Sequence, residues 1–424
     1  MDQLLEQTIE KLELLIAEEP HSPQHHKDLG NAFHSSRAYD LALEEFRTAL
    51  HIDPNYYKAQ YNMGNTCFAM ERYQEAIICW QKALIIEPKL EHAIYNIAFT
   101  YFTMGTQCSN SEIAKHYFDD AALEFQKAIS LRPDNVDSHL HLGLTWYELE
   151  CYDQSVEEYN KVIEADPEHA YAFYNLGNVY YELGEKNPER YRDALSAFKT
   201  AIKLNPEDDK SHNNVADCYL RLGQIDMARK EALKVLKIFA DYLPAHCTLG
   251  ETYAADDKHP EAIQEFKRIL ELDPEENHVL HKYAARKLIE EYNRLILKTP
   301  DSAPLHYELG LAYKDLGIAY KDNAYLHKAE DEFRKAIDSF EVNCDRTTPE
   351  VKAEMLKLHI ELGETYLLLN NLDFALMEIE SALIHDNHSV EAHCILGEIY
   401  VKAGDTELAC GQFSYIKKEM LHKY

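Results

Sequence analysis

No stretch of this 424-residue sequence approaches the roughly 18 to 20 consecutive apolar residues that a membrane-spanning helix needs. The opening MDQLLEQTIEKLELLIAEEP is acidic and lacks an uninterrupted apolar run, so it is not read as a signal peptide. Basic residues are scarce: 43 Lys and Arg stand against 74 Asp and Glu, a net charge of −31. Non-specific nucleic-acid binding by counterion release requires the opposite sign, and an anionic membrane surface is disfavoured for the same reason. The nine Cys never form a CxxC pair. Several replace core residues, as Cys67 does, and read as reduced, buried thiols of a cytoplasmic protein. Gly and Pro number only 14 each and fall at regular intervals, which argues against disorder and long linkers. No Walker-type, GxGxxG, GxSxG, HExxH or calcium-loop pattern occurs, so no catalytic residue, metal or cofactor is expected.

What the chain has instead is a period. A small residue, usually Gly, follows an apolar residue and precedes an aromatic or apolar one by three. A small–aromatic–small run and a Pro come after it. The first two copies are Leu29-Gly30…Phe33…Ala42…Phe46…Ala49…Pro54 and Met63-Gly64…Cys67…Ala76…Trp80…Ala83…Pro88, whose corresponding residues differ by 34. The apolar steps within Ala76-Ile77-Trp80-Ala83-Leu84 are threes and fours, which is helical spacing. Each copy therefore reads as two antiparallel helices. Gly and Ala sit at the closest approach, and the large ring fills the groove. Pro ends the second helix, because it disfavours helical geometry in the residue before it.

This pattern resembles the tetratricopeptide repeat family over nearly the whole chain. The resemblance implies an all-α fold, a right-handed α-α superhelical solenoid of about ten helix-turn-helix repeats. Residues 1–22 are expected to form an N-terminal capping helix, with Leu4, Leu5, Ile9, Leu12, Leu15 and Ile16 as its apolar stripe. Seven repeats are expected over 23–276, with insertions near 102–118 and 184–191. An irregular half repeat follows at 277–302. Three further repeats occupy 303–424, with an insertion near 314–328 and a linker at 344–355. The final repeat has no cap, leaving an edge on which a weak homodimer is an alternative to a monomer.

Histidine recurs four residues before the small residue, at His26, His139, His212, His246, His306, His359 and His393. Stacked repeats hold equivalent residues roughly 8 to 10 Å or more apart, too far to share a zinc ion. These rings read as half-buried positions between helices.

In this family the residues two before and one after the small residue point to the inner surface. The first set includes Asn62, Asn96, His141, Asn175 and Asn214, and the second Asn31, Asn65 and Asn178. Asn is a mediocre helix former, so a row of them at matched positions needs a reason. Side-chain amides offer donors and an acceptor together and can pair with a peptide backbone. The row resembles the asparagine ladder of O-linked N-acetylglucosamine transferase repeats, though no glycosyltransferase domain is expected here. Lys27, Asn31 and Asn62 also resemble the start of the carboxylate clamp of chaperone-adaptor repeats. His92 and Asn96 stand where that clamp has Lys and Arg. Farther on, the inner positions become Glu251, Glu308, Glu361, Glu364 and Glu398, an acidic face suited to a basic segment of a partner. The resulting expectation is a non-enzymatic scaffold or chaperone-like adaptor that binds an extended peptide in its concave groove. The alternatives are an assembly subunit using convex faces and the terminal edge, or a regulatory repeat subunit of a modifying enzyme.

Overall fold

The structure, a computed structural model, describes residues 3–273, 279–343 and 348–422. Among the described residues the chain forms 22 helices and no strand, in two compact units, 1–211 and 212–424. The first unit contains α1 (Gln3–Glu18), α2 (Pro23–Ser35), α3 (Tyr39–Ile52), α4 (Tyr57–Ala69), α5 (Tyr73–Ile86), α6 (Glu91–Gln107), α7 (Ser111–Leu131), α8 (Val136–Glu148), α9 (Tyr152–Ala165), α10 (Ala170–Lys186) and α11 (Arg190–Leu204). Next comes α12 (Asp209–Arg221), which carries the boundary between the units. The second unit continues with α13 (Ile225–Ile238), α14 (Leu243–Ala255), α15 (His259–Leu272), α16 (Val279–Lys298), α17 (Ala303–Tyr320), α18 (Asn323–Asn343), α19 (Pro349–Leu368), α20 (Leu372–His385), α21 (Val390–Ala403) and α22 (Thr406–His422).

Within each unit helices pack in sequence, each against its neighbours along the chain, as in a stack of antiparallel pairs. The pairing rests on one repeated contact. In the second pair the Trp80 ring lies so close to α4 that a Cβ built on Gly64 would fall 2.5 Å from its Nε1. Phe46, Phe198, Phe266 and Phe333 hold the same place against Gly30, Gly177, Gly250 and Gly310, each ring fully buried. A ring this size seats in a helix groove only where the facing residue has no side chain. The link between the two helices of an ordinary pair is short and turns on one left-handed residue: Arg37, Glu71, Glu150, Asp257 or Asn370, and Gly223 or Gly404.

The longer repeats absorb their extra residues as helix. In the pair α10–α11 a second close contact, Gly184 against Tyr191, lies seven residues beyond Gly177 on one helix and seven before Phe198 on the other. The pair α17–α18 repeats this with Gly317 against Leu326, outside Gly310 and Phe333. In α6–α7 the outer contact is Gly105 against Phe118, outside Ala98 and the buried Phe125. Seven residues are two turns, about 10 Å of helix, and return the chain to the same face. Between α15 and α17, the single helix α16 packs against both and against α14. Its buried Glu291 accepts from His259 of α15 at 2.6 Å.

Candidate peptide-binding face

Four asparagines of the first unit pair side chain to side chain across neighbouring first helices. Asn62 on α4 donates its amide to the Asn31 side-chain oxygen on α2 at 2.7 Å. One turn along α4, the Asn65 oxygen accepts from Asn96 on α6 at 3.1 Å. It also accepts from the Trp80 indole at 3.0 Å. An indole nitrogen only donates, so Trp80 holds the Asn65 oxygen inward and turns its NH₂ outward. Asn96 spends its second N–H on the Tyr61 hydroxyl at 3.2 Å, which leaves its own oxygen unengaged. The surface groups left over run in chain order as the NH₂ of Asn31, the oxygen of Asn62, the NH₂ of Asn65 and the oxygen of Asn96. They alternate donor, acceptor, donor, acceptor.

Beside the second pair lies a pocket of about 180 Å³ lined by Asn65, Phe68, Trp80, Asn96 and Phe99. The Phe68 ring centroid is 6.1 Å from that of Trp80 and 6.0 Å from that of Phe99. No charged side chain lines it.

Lys27, His141 and Asn175 are engaged elsewhere than in this row. Lys27 pairs with its neighbour Asp28. His141 is packed among rings, 5.1 Å from Phe99 and 5.9 Å from Phe125 between centroids, and its Nδ1 faces the Asp137 carbonyl at 2.8 Å. Burial pushes its pKa down. Asn175 is buried and donates along its own helix to the Tyr171 carbonyl at 2.9 Å. Asn178 is half-buried on α10, and Asn214 belongs to the second unit. His92, at the clamp position, is exposed and pairs with Glu91 at 3.1 Å.

In the second unit the acidic positions are largely committed inside the fold. Lys314, itself buried on α17, donates to Glu361 at 2.5 Å and to Glu364 at 2.6 Å, both on α19. Glu308 accepts from Lys267 at 2.6 Å and from the Tyr292 hydroxyl at 3.1 Å. Glu251 accepts from the Tyr283 hydroxyl. Burial, with Asp217 beside it, pushes the Glu251 carboxyl above the usual carboxylate range. Glu398 is exposed.

Six of the recurrent histidines are ties between helices. His139 places Nδ1 2.5 Å from Glu158 on the second helix of its own repeat and Nε2 2.9 Å from the Pro133 carbonyl that precedes the repeat. His26 does the same with Glu45 and the Pro20 carbonyl, His246 with Glu265 and Ala240, and His306 with Glu332 and Pro300. His393 uses Gln412 and the Asn387 carbonyl. The tie needs a backbone oxygen, not a Pro ring, so Ala240 and Asn387 serve where other repeats have Pro. At His359 the carbonyl partner is lost, because α19 begins ten residues upstream and the residue six before lies inside that helix; only Glu378, at 2.7 Å, remains.

Among the described residues no helix is long and apolar enough to cross a membrane. Tetratricopeptide repeat models match residues 6–57, 57–90, 188–246 and 243–276, and a TPR repeat model matches 147–184. Over 106 residues, 25% of this chain and 18% of the relative, the sequence is 26% identical to Hsp70-Hsp90 organizing protein 2 of Arabidopsis thaliana. Over 87 residues, 20% of this chain and 10% of the relative, it is 32% identical to Protein O-mannosyl-transferase TMTC2 of Homo sapiens. The matched stretch thus spans less than a fifth of either curated relative. Among solved structures, YrrB, described as a TPR protein with an unusual peptide-binding site, aligns over 47% of this chain and 95% of its own, at 23% identity and a TM-score of 0.40. With repeat models matching in both units and glycine-against-ring helix pairs stacked through each, the chain belongs to the tetratricopeptide repeat family.

Proposed function

We propose that the first unit binds an extended polypeptide along its asparagine row and that the protein works as a non-enzymatic cytoplasmic scaffold or adaptor. The alternating donors and acceptors of Asn31, Asn62, Asn65 and Asn96 carry this reading. An extended backbone presents carbonyl and N–H groups in alternation, and a matching row holds it through those groups. The Arabidopsis relative is named as an organiser of two chaperones, which fits an adaptor role. The transferase match takes in a tenth of that protein, and the sequence here carries no catalytic motif. The acidic positions of the second unit are poorly placed to hold a basic segment, because Glu308, Glu361 and Glu364 already face an ammonium group.

Replacing Asn31, Asn62, Asn65 and Asn96 together by Ala tests the reading. Binding of the full chain to an array of extended peptides should fall at least ~10-fold, since several hydrogen bonds of about 1 kcal/mol each are lost. Helicity should be unchanged. Equal binding by a folded variant would sink it. The lengthened pairs α6–α7, α10–α11 and α17–α18 favour a second reading, an assembly subunit. In that case shortening one of these pairs by its outer turns would abolish complex formation while the Asn variant would not.

A further inference from the structure

Resting on that reading, we infer that the pocket between Asn65 and Asn96 selects a carboxamide side chain, Gln or Asn, of the bound segment. The Asn65 oxygen is used by Trp80 at 3.0 Å and by Asn96 at 3.1 Å, so both hydrogens of the Asn65 NH₂ are available. Asn96 has spent both of its own hydrogens, on Asn65 and on the Tyr61 hydroxyl at 3.2 Å, so its oxygen is available. One Asn65 hydrogen and one Asn96 lone pair serve the backbone of the bound segment, and the second of each stands in the pocket as a donor and an acceptor side by side, between Phe68 and Phe99.

Each other class of side chain leaves one of these groups unsatisfied. An aliphatic chain strands both, at about 1–3 kcal/mol for each buried group. A carboxylate accepts from Asn65 but faces the Asn96 oxygen lone pairs. An ammonium donates to Asn96 but faces the Asn65 hydrogens. Nothing charged lines the pocket to compensate a buried charge, which is costly when unpaired. A primary carboxamide carries an acceptor and donors on one planar end, and its flat face suits the aromatic walls. The pocket's volume of about 180 Å³ admits a single side chain.

The test is a positional array of extended peptides with randomised flanks and one fixed guest residue, probed with the full chain. Gln and Asn guests should be retained ~10-fold better than Leu, Glu or Lys, the factor that one stranded hydrogen-bonding group is worth. The Trp80 indole N–H resonance should shift when a Gln-guest peptide is added. Trp80 is one of only two Trp in the chain, so a Trp146→Phe variant assigns it. Asn65→Asp keeps the oxygen that Trp80 and Asn96 use but replaces the free donor by an acceptor, so guest preference should move from Gln to Lys. Equal retention of all guests, or an unmoved Trp80 resonance, overturns the pocket and leaves the groove reading standing. Failure of every peptide to bind overturns both. An Asn65→Asp variant that binds with unchanged preference overturns the pocket alone.

Discussion

The Trp80 indole donates at once to the Asn65 side chain at 3.0 Å and to the Tyr61 carbonyl at 3.1 Å. One core ring thus seats against Gly64, joins α5 to α4 and decides which end of a surface amide faces out. Trp80→Phe keeps a ring in the groove and removes that donor. The expected loss is about 1 kcal/mol from the missing hydrogen bond plus part of the ring's packing. The Asn65 amide then loses one of the two donors that fix its direction, so peptide affinity should fall while the helical content holds. Urea midpoints and peptide-array binding measure the two effects separately. Unchanged binding would show that the amide's orientation does not matter.

The outer contact of a lengthened pair invites a second prediction. A Cβ on Gly184 would lie 2.5 Å from the Tyr191 ring, which is 5% exposed and has little room to shift. Gly184→Ala should therefore destabilise the first unit by roughly 1–3 kcal/mol, the usual cost of overpacking, despite the better helix propensity of Ala. Gly411 on α22 has nothing within 4 Å of its Cβ direction. There the same change should be neutral or stabilising. Thermal midpoints of the two variants compare them directly, and a stabilised Gly184→Ala would contradict the close packing.

The helix pairs were legible because Gly30 and Phe46, or Gly64 and Trp80, stand at one fixed spacing, and a ring against a bare helix is a contact that spacing alone specifies. Gly105, Gly184 and Gly317 were equally visible. Only the three-dimensional pairing shows that each sits one heptad beyond the inner contact, and that the inserted residues are helix rather than protruding loop. The histidine ties were half legible. Glu45, Glu158, Glu265 and Glu378 each fall nineteen residues after His26, His139, His246 and His359, but the second partner is a backbone carbonyl, which no side-chain pattern marks. At the candidate face the row of Asn positions was readable. The direction of each amide was not, because it depends on where Trp80 and the neighbouring amides point. Asn175 looks equivalent to Asn62 in register, yet it is buried and turned onto its own backbone.

Lys314 shows how an acidic surface is held together from within. Its ammonium group lies between Glu361 and Glu364 on α19. Burial opposes its charge, but the two carboxylates outweigh burial and raise its pKa above the usual lysine value. Lys314→Met would leave those carboxylates facing each other without a cation. Glu364 is 43% exposed along its side chain, so the loss should fall toward the low end of the ~3–5 kcal/mol seen when a buried pair is broken. Added salt should recover part of it by screening. Glu361→Gln introduced beside Lys314→Met should recover more than salt does. Urea unfolding at low and moderate ionic strength measures both, and equal stability of Lys314→Met and the native chain would show that the bridge contributes nothing.

His246 makes the histidine ties testable by pH. Burial pushes its pKa down, but the Glu265 carboxylate at 2.6 Å and the Ala240 carbonyl at 3.0 Å outweigh it, with Arg268 opposing, and the net shift is upward from 6.5. Both ring nitrogens face oxygen acceptors, so the doubly protonated ring is the form that satisfies the site. A folded-state pKa above the unfolded value contributes stability that is fully present below about pH 6.5 and is lost as pH rises through the raised pKa. The second unit should therefore lose part of its urea resistance as pH rises above about 6.5. His246→Gln should flatten that dependence, as should Glu265→Gln, which leaves the ring without its counter-charge. The difference between each variant and the native chain is the quantity to read. An NMR titration of the His246 ring protons checks the premise itself: a midpoint at or below 6.5 would show that burial, not Glu265, governs the site.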